Sequence, residues 1–380
     1  MTSRERLLAV LHGEVPDCVP VDPDISNMVP CRLTGRPFWE VYLYQNPPLW
    51  KAHLDAVKHF DLDGGFEIYT VQVDFDEPAP SPWEERIVAR HTADAPVTQL
   101  FNTQTGAWHP RITVYWRDAP PSAGIDPRVI GLPPEPSTWE PVTGVKSWPT
   151  GLELWDLVCG EMGDQGILGL WSGCHTTHLN NEQQIYAWYD DPKPFLEAAQ
   201  RQIAAVERRL EHIAAMKRRP DVLFCGGSGT LIWQTPAIFR ELVLPVLQRA
   251  TQLAHDIGIP THVHSCGPEK ELVKMAARET RLTIIDPLEI PPMGDCDLAE
   301  LKRLYGDQIV LKGNLHTTDT MLRGSVGDVV AASRAAIDAA AAGGGFVLST
   351  GDQCGRDTPD ANIRAMVETA RTYGAYERWV

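Results

Sequence analysis

The sequence has neither a long apolar segment nor an excess of positive charge. No apolar run approaches the ~20 residues that a helix needs to cross a bilayer, so we expect no membrane span. Residues 1–6 lack the apolar stretch of a secretory signal peptide, which favours a cytoplasmic protein. The net charge of −16 argues against nucleic-acid binding, because a surface that binds nucleic acid is usually basic.

Nucleotide-binding motifs and a disulfide framework are also missing. No Gly-x-Gly-x-x-Gly run follows a strand-like segment and no Walker-type loop is present, so neither a dinucleotide nor a nucleoside triphosphate is indicated. The eight cysteines are scattered along the chain, which predicts reduced thiols rather than a disulfide scaffold. Most of them are expected to be small buried side chains, among them Cys225 and Cys296.

The sequence does contain a regular alternation of strand-like and helix-like segments after residue 150. The strand-like segments are 166–171, 222–224, 262–264, 282–285, 309–312 and 346–350. The helix-like segments are 193–217, 237–257, 269–279, 297–304, 326–342 and 358–373. Before residue 150, two further strands are expected at 19–22 and 64–69. Alternating units of this length predict a parallel sheet, and about eight of them favour a (β/α)8 TIM barrel.

Residues 71–150 interrupt this alternation. Prolines are dense there, and short β-like segments such as 111–116 stand between turn residues. We therefore predict an α/β fold built as one TIM barrel over residues 1–380. The barrel is expected to carry a β-rich insertion at about 71–150.

A pair of metal-ligand side chains ends one of the predicted strands. His264 and Cys266 are two residues apart, and residues at this spacing on an extended strand point to the same face. Cys354 follows the strand at 346–350 in a comparable position. Two nearby strands could therefore offer one nitrogen and two sulfurs to a single ion. Three protein ligands with an open fourth position are typical of a catalytic zinc site.

Other polar and aromatic residues follow the predicted strands at the same end, where TIM barrels hold their active sites. Candidate catalytic residues are Asp286, Glu289 and Asp352. Candidate substrate-binding residues are Asp22, Glu67, Trp171, His175, Trp233 and Asn314. Asp286 or Glu289 could orient the substrate, complete the zinc shell or hold His264 in place.

Several of these features have a second interpretation. His262 shares a face with His264 but lies deeper, which favours a hydrogen-bonded residue of the barrel interior. The run CHTTH at 174–178 resembles a metal cluster, but a polar loop near the substrate pocket explains it better. Trp171 and Trp233 could form an apolar wall for an aromatic methoxy compound, or they could pack in the core. Asp22 and its neighbour Asp24 could equally stabilise a loop.

The chain resembles the uroporphyrinogen decarboxylase superfamily over almost its whole length. The likeness begins with ERLLAVLHGEVPD at 5–17 and is looser at 234–239, where Thr235 stands in place of a usual serine. It is strongest at HSCG, residues 264–267, and at GDQC, residues 351–354, with the Asp-Thr-Pro and Asn-Ile pairs that follow. The resemblance implies a TIM barrel.

One branch of this superfamily consists of zinc-dependent methyltransferases that work with corrinoid proteins. They hold zinc with a His-x-Cys pair and a later cysteine, and His264, Cys266 and Cys354 stand at those positions. No Asp-x-His-x-x-Gly signature for cobalamin is present, so the resemblance implies a corrinoid carried by a separate partner protein. The oligomeric state is not indicated by the sequence, and a homodimer is one option.

Zinc could serve such a reaction in two ways. It could hold a thiol acceptor as the thiolate, or it could bind the oxygen of a methyl ether or alcohol. We favour demethylation of a small methoxylated or methylated donor over transfer to a thiol. Acidic and aromatic candidates follow the strands, whereas no basic cluster stands ready for a sulfonated thiol.

Two rival functions remain. The decarboxylase branch grips substrate carboxylates with arginines near its N-terminus, and Arg32 and Arg36 echo that spacing. The residues before them match poorly, which weakens the case for a cofactor-free decarboxylase. The second rival is a barrel that binds a corrinoid or tetrapyrrole without catalysis.

Overall fold

Strands and helices alternate through most of the chain. The structure is a computed structural model that describes residues 1–65, 71, 73–75, 81–92 and 94–379. Its strands are β1 (Trp83–His91), β2 (Ala95–Asn102), β3 (Trp108–Val114), β4 (Ser122–Ile125), β5 (Glu140–Pro141), β6 (Gly169–Trp171), β7 (Val222–Phe224), β8 (Thr261–His264), β9 (Ile284–Asp286), β10 (Val310–Leu315) and β11 (Phe346–Thr350). Its α-helices are α1 (Ser3–Leu11), α2 (Met28–Leu33), α3 (Phe38–Tyr42), α4 (Leu49–Phe60), α5 (Gly151–Met162), α6 (Glu182–Asp190), α7 (Lys193–Ala214), α8 (Thr230–Trp233), α9 (Pro236–Ile238), α10 (Leu244–Asp256), α11 (Lys270–Glu279), α12 (Leu298–Tyr305), α13 (Val326–Ala340) and α14 (Asp360–Thr372).

Strands β6 to β11 form one parallel sheet in which neighbours along the chain are also neighbours in space. Helical segments connect each strand to the next, as parallel pairing requires, because the chain must return to the same end of the sheet. The predicted α/β fold with a parallel sheet is therefore confirmed. No helix in the described part of the chain has both the length and the apolar character that a membrane span requires.

Two short segments hydrogen-bond to the edges of this sheet. Residues 20–22 exchange two backbone hydrogen bonds with Leu348 of β11, at 2.9 and 2.8 Å. The same segment accepts a hydrogen bond of 2.9 Å from the amide of Asp63, and Gly64 accepts one of 3.2 Å from Ile167, just before β6. This arrangement is consistent with a TIM barrel. Most of the strand predicted at 64–69 lies outside the described residues.

Helix α1 packs against the beginning of the parallel strands. A capping box between Thr2 and Glu5 fixes its first turn, because each side chain accepts a hydrogen bond from the other residue's amide. Its buried apolar side chains, Leu7, Val10 and Leu11, join a cluster with apolar residues from the strands and the segment before β6, namely Ile167, Val222, Phe224, Ile284, Val310 and Val347. The sheet interior is thus filled at the end where the strands start.

A second sheet lies within the range predicted for the β-rich insertion. It is antiparallel, with the strand order β4-β3-β2-β1-β5. Val97, Ile112 and Val114 form its own small core. Arg86 covers part of its surface, with its guanidinium carbon 3.8 Å from the ring centre of Phe101.

The helix predicted at 237–257 is present, since the chain is helical over residues 236–256, but it is not regular throughout. The structure has α9, a short π-helical stretch at Phe239–Val243, and then α10. Pro245 occupies one of the first two positions of α10, where a missing amide hydrogen costs little. The π-helical turn accommodates the proline before the regular helix begins, because a proline ring clashes with the carbonyl group four residues earlier.

Candidate metal centre and adjoining cavity

The candidate metal centre lies where β8 ends. His264 is the last residue of that strand, and Cys266 follows in the loop. The imidazole of His264, the thiol of Cys266 and the carboxylate of Asp352, which follows β11, each offer a ligand atom, and these atoms lie within 4.8 Å of one another. The parallel sheet brings β8 and β11 to the same end, which is why residues so distant in sequence meet here.

The ring of His264 is held in an orientation that suits a metal ligand. Its Nδ1 atom lies 3.1 Å from Oδ1 of Asp286, a carboxylate partner of the kind that orients metal-binding histidines. Its Nε2 atom is buried and has no hydrogen-bond partner among the described residues, and Oδ1 of Asp352 is 3.6 Å away. A buried nitrogen without a partner, facing a thiol and a carboxylate, fits a metal-ligand role.

The charge around His264 also favours a cation. Burial disfavours a positive charge on the ring, but the carboxylate of Asp286 outweighs burial and raises the pKa of His264 well above its usual range. Asp352 adds to the same effect. The nitrogen, sulfur and oxygen donors together match the ligand types that zinc accepts.

Asp352 occupies an unusual backbone conformation. Its φ angle is +96°, in a region that costs a non-glycine residue about 1–3 kcal/mol. The hydroxyl of Thr350 donates a hydrogen bond of 2.7 Å to the carbonyl oxygen of Asp352 and helps to hold the turn. This turn directs the carboxylate of Asp352 towards His264.

Cys354 lies close to this group but is not one of its three members. Its side chain is buried, and its amide donates a hydrogen bond of 2.8 Å to the carbonyl oxygen of Asp24. Burial raises the pKa of the Cys354 thiol to about 12. The structure therefore groups two of the three predicted zinc ligands with Asp352, for which a catalytic role was predicted.

A buried network of charged side chains supports the candidate metal centre. Asp286 accepts a hydrogen bond of 2.9 Å from Lys312 and lies 2.8 Å from Nε2 of His262, and Lys312 also pairs with Asp22 at 3.1 Å. Burial alone would raise the pKa of Asp286, but Lys312 and the two histidines hold it well below its usual range. Asp286 is therefore an anion that positions His264, and Asp22 lies in the interior beneath the site.

Hydrogen bonds from two carboxylates and one side-chain amide connect the loops around the candidate metal centre. Glu289 accepts a hydrogen bond of 2.5 Å from the amide of Gly267, and burial raises the pKa of this carboxyl group. Glu269 accepts one of 2.7 Å from the amide of Leu288, and the side chain of Asn314 donates one of 3.0 Å to the carbonyl oxygen of Leu288. Glu289 and Asn314 thus hold the loops that follow β8 and β9.

A cavity of about 340 Å³ opens beside His264. Trp171 and Phe224 supply apolar surface, while Asp24 and Arg209 supply charge. Burial raises the pKa of Asp24 to about 6. The volume lies within the range of small-molecule sites.

The remaining predicted site residues lie in different surroundings. His175 is exposed, and the centre of its ring lies 4.8 Å from that of Trp171, with the two ring planes tilted by 51°. Trp233 is 40% exposed on α8 and is not among the residues that line the cavity. Glu67 lies outside the described residues. Among the residues that the structure does describe, the run at 174–178 joins no cluster of three metal-type ligands.

The sequence patterns did not identify Arg209 as a site residue. It belongs to the amphipathic helix α7, where charged residues are expected to face solvent. The sequence holds one indication, which is the position of Arg209 along the helix. Arg209 stands three residues after the buried Val206 and directly before the buried Leu210. A charge at that spacing lies beside the buried stripe of the helix.

One family model and several solved structures are similar to this chain. Residues 221–373, which include all three predicted zinc ligands, match the family model Uroporphyrinogen decarboxylase (URO-D). A methyltransferase from Methanosarcina mazei superposes with a TM-score of 0.59 at 17% sequence identity, covering 98% of this chain and 99% of that chain. A psychrophilic glycoside hydrolase family 10 endo-beta-1,4-xylanase superposes with a TM-score of 0.36 at 7% identity, covering 57% of this chain and 80% of that chain. No curated protein matches.

The parallel α/β fold, with the ligand cluster at one end of its strands, is consistent with an enzyme of the TIM-barrel type. The family match over residues 221–373 and the shared fold support the predicted resemblance to the uroporphyrinogen decarboxylase superfamily.

Proposed function

We propose that the chain is a zinc-dependent methyltransferase. It moves a methyl group between a small molecule and a corrinoid carried by a separate protein. The observation that carries this proposal is the buried Nε2 atom of His264, which faces the thiol of Cys266 and the carboxylate of Asp352 without a hydrogen-bond partner among the described residues. The likeness in fold to a methyltransferase supports the same branch of the superfamily.

The proposed framework is a closed (β/α)8 barrel. Residues 20–22 and 63–65 belong to its first two strands, and β6 to β11 are the other six. The backbone hydrogen bonds that join these segments to each other and towards both sheet edges support this assignment. The whole chain then forms one unit, with the antiparallel sheet as its insertion.

The proposed ligands are His264, Cys266 and Cys354, with Asp352 at the fourth position in the resting site. When bound, zinc would stabilise a thiol as its thiolate or polarise an ether oxygen. A small molecule would displace the carboxylate of Asp352, whose side chain is 33% exposed, against 12% for His264. Asp286 orients His264, and Trp171 keeps water from one side of the cavity.

A partner protein is expected to dock where the strands end. Three large apolar side chains are exposed on segments that follow β7 and β9: Ile232 at 55%, Trp233 at 40% and Met293 at 61%. Exposed apolar residues that lie near one another often mark a protein interface. This surface is our candidate site for the corrinoid protein, and it gives Trp233 a role in docking.

The two arginines whose spacing resembles that of the decarboxylase branch are not placed at the cavity. Arg32 pairs with Asp360 at 2.5 Å, and Arg36 is exposed. Neither is among the residues that line the cavity beside His264. This favours the methyltransferase over the decarboxylase.

The function can be tested with purified protein, free cobalamin reduced to its Co(I) form and a panel of methyl ethers, methylated amines and methylated thiols. We expect about one zinc per chain, as a catalytic site of this type implies. At least one donor should convert the Co(I) spectrum into that of methylcobalamin. Zinc-free protein that releases CO₂ from a porphyrinogen acid would contradict the proposal. Tight corrinoid binding without turnover, unchanged in Cys354→Ala, would indicate a binding protein.

Replacing Asp352 by asparagine should change the fourth ligand without removing the metal. Because the imidazole and two thiolates remain, we expect zinc affinity to fall by about tenfold or less. In protein loaded with Co²⁺, the visible absorption bands should shift, since one oxygen donor is altered. Chelator competition and absorption spectroscopy measure the two effects.

The matched control is Asp357→Asn, an exposed carboxylate in the same loop that pairs with Arg356. It should leave both the affinity and the spectrum unchanged. Complete loss of metal from Asp352→Asn would mean that Asp352 is a permanent ligand. An unchanged cobalt spectrum would remove it from the coordination shell.

A further inference from the structure

The cavity beside His264 has a buried carboxylate in its wall. Asp24 lines this cavity, and only 3% of the residue is exposed. Asp24 stands two residues after Asp22, and residues at this spacing in an extended segment share a face. Asp22 pairs with Lys312 at 3.1 Å in the interior, whereas Asp24 belongs to the cavity. The two acidic side chains therefore have different surroundings, and the metal network described above does not account for Asp24.

Hydrogen bonds hold Asp24 in place on both sides. Its amide donates one of 3.1 Å to the hydroxyl of Thr350, and its carbonyl oxygen accepts one of 2.8 Å from the amide of Cys354. Its Oδ1 atom accepts one of 2.7 Å from the amide of Ser26. A carboxylate can accept about four hydrogen bonds, so the amide of Ser26 leaves capacity for a ligand. A side chain that is already fixed loses little freedom when it binds a ligand.

The charges around the cavity favour a ligand that donates hydrogen bonds. Burial lowers the pKa of Arg209, and the carboxylate of Asp74 acts in the opposite direction. His264 has the carboxylate of Asp286 at 3.1 Å. Both cationic side chains at the cavity thus have an acidic neighbour, and the chain as a whole carries a net charge of −16. Asp24 adds a buried acceptor to this negative environment, and a buried carboxylate is stabilised by each hydrogen bond that it accepts.

We propose that Asp24 binds a hydrogen-bond donor, either a hydroxyl or an ammonium group, on the small molecule whose methyl group or thiol faces His264. This assignment rests on the proposed function and names its substrate class. Hydrogen bonds to an ionised acceptor are roughly twice as strong as those between neutral groups. Trp171 and Phe224 supply apolar walls for the rest of the molecule. The substrate-binding role predicted for Asp22 is therefore assigned to Asp24.

Calorimetric titration of the zinc-loaded protein with matched pairs of probes tests this assignment. In each pair a methyl group replaces the hydroxyl or ammonium group. The pairs are 4-methoxyphenol with 4-methoxytoluene, 4-methoxybenzylamine with 1-ethyl-4-methoxybenzene, and 2-aminoethanethiol with 1-propanethiol. We expect the wild-type protein to bind the polar member of at least one pair more tightly by about tenfold or more, even though apolar walls favour the methyl compound. The pair that shows the preference identifies the group that Asp24 binds.

Asp24→Asn is the matched variant. Asparagine can form the same turn with the amide of Ser26, but it offers an N–H donor in place of the second acceptor oxygen. We expect this variant to keep its zinc, while the preference falls below about threefold. Asp357→Asn removes a charge from an exposed carboxylate in the loop after β11, and it should keep the preference.

Equal or undetectable binding of the two members in every pair, or a preference that survives in Asp24→Asn, would overturn the assignment. If Asp24→Asn does not fold, Asp24→Ser replaces it, because serine can form a similar turn without the charge. A preference that survives in Asp24→Ser would likewise overturn the assignment. Zinc content separates the two proposals. A preference that depends on Asp24 in a protein unable to bind zinc contradicts only the methyltransferase, and zinc binding without the preference contradicts only the role of Asp24.

Discussion

Bound zinc should fall from about one ion per chain to less than about 0.1 when Cys354 is replaced by alanine, because a three-ligand site cannot spare a thiolate. His264→Ala and Cys266→Ala should lose the metal in the same way. Methyl transfer should fall by at least about a thousandfold, since a metal ion contributes several kcal/mol to such chemistry. Elemental analysis and the cobalamin assay measure the two losses. Cys354 is the most informative position, because its thiol is not one of the three grouped ligand atoms.

The control for this result is Cys225→Ala, which removes another fully buried thiol close to the end of β7. It should keep its zinc and its activity. All variants should stay folded by circular dichroism, because the metal centre lies on a complete hydrophobic core. If Cys354→Ala keeps its zinc while Asp352→Asn loses it, the ligands are His264, Cys266 and Asp352, and the proposed ligand set is wrong.

Asp286→Asn should weaken both the fold and the metal site. The buried ammonium of Lys312 loses the carboxylate of Asp286 as a partner, and breaking a buried ion pair costs about 3–5 kcal/mol in the free energy of unfolding. His264 loses the anion that orients it, which should weaken zinc binding by about 10- to 100-fold. Urea unfolding of the metal-free protein and chelator competition measure these effects separately.

A second buried carboxylate gives a matched control. Asp63 is fully buried and pairs with Arg6 at 2.6 Å and with Arg371 at 2.5 Å. Asp63→Asn should lose a similar amount of stability and keep its zinc affinity. If Asp286→Asn binds zinc within threefold of the wild type, Asp286 supports only the fold.

Much of the framework was predictable because its signals are local. The strands that become β7 and β11 are short, largely apolar runs near turn residues, and the helices after β6 and β7 have clear apolar stripes. The meeting of His264 and Cys266 with the loop after β11 followed from one rule, that parallel strands end together. Pro245 indicates an irregularity in the helix at 237–257, but it does not indicate that the irregularity is a π-helical stretch before α10.

The electrostatic support of the site could not be read from the sequence. Asp286 and Lys312 are 26 residues apart, and Asp22 is further away still, so only the assembled sheet shows that they pair. Asp352 was identified as a strand-end residue, but its turn towards His264 depends on a positive φ angle that no local motif indicated. Arg209 was hidden within a helix whose pattern predicts a solvent-exposed charge.

The packing of α1 has a consequence for the order of events in catalysis. Its apolar side chains fill the sheet interior at the end where the strands start, on the opposite side from the metal centre. A small molecule therefore reaches His264 from the end that the partner protein would cover. Under the proposed function the small molecule binds first, the partner docks second, and the product leaves only after the partner dissociates. Steady-state kinetics should then follow a compulsory sequence rather than a random one.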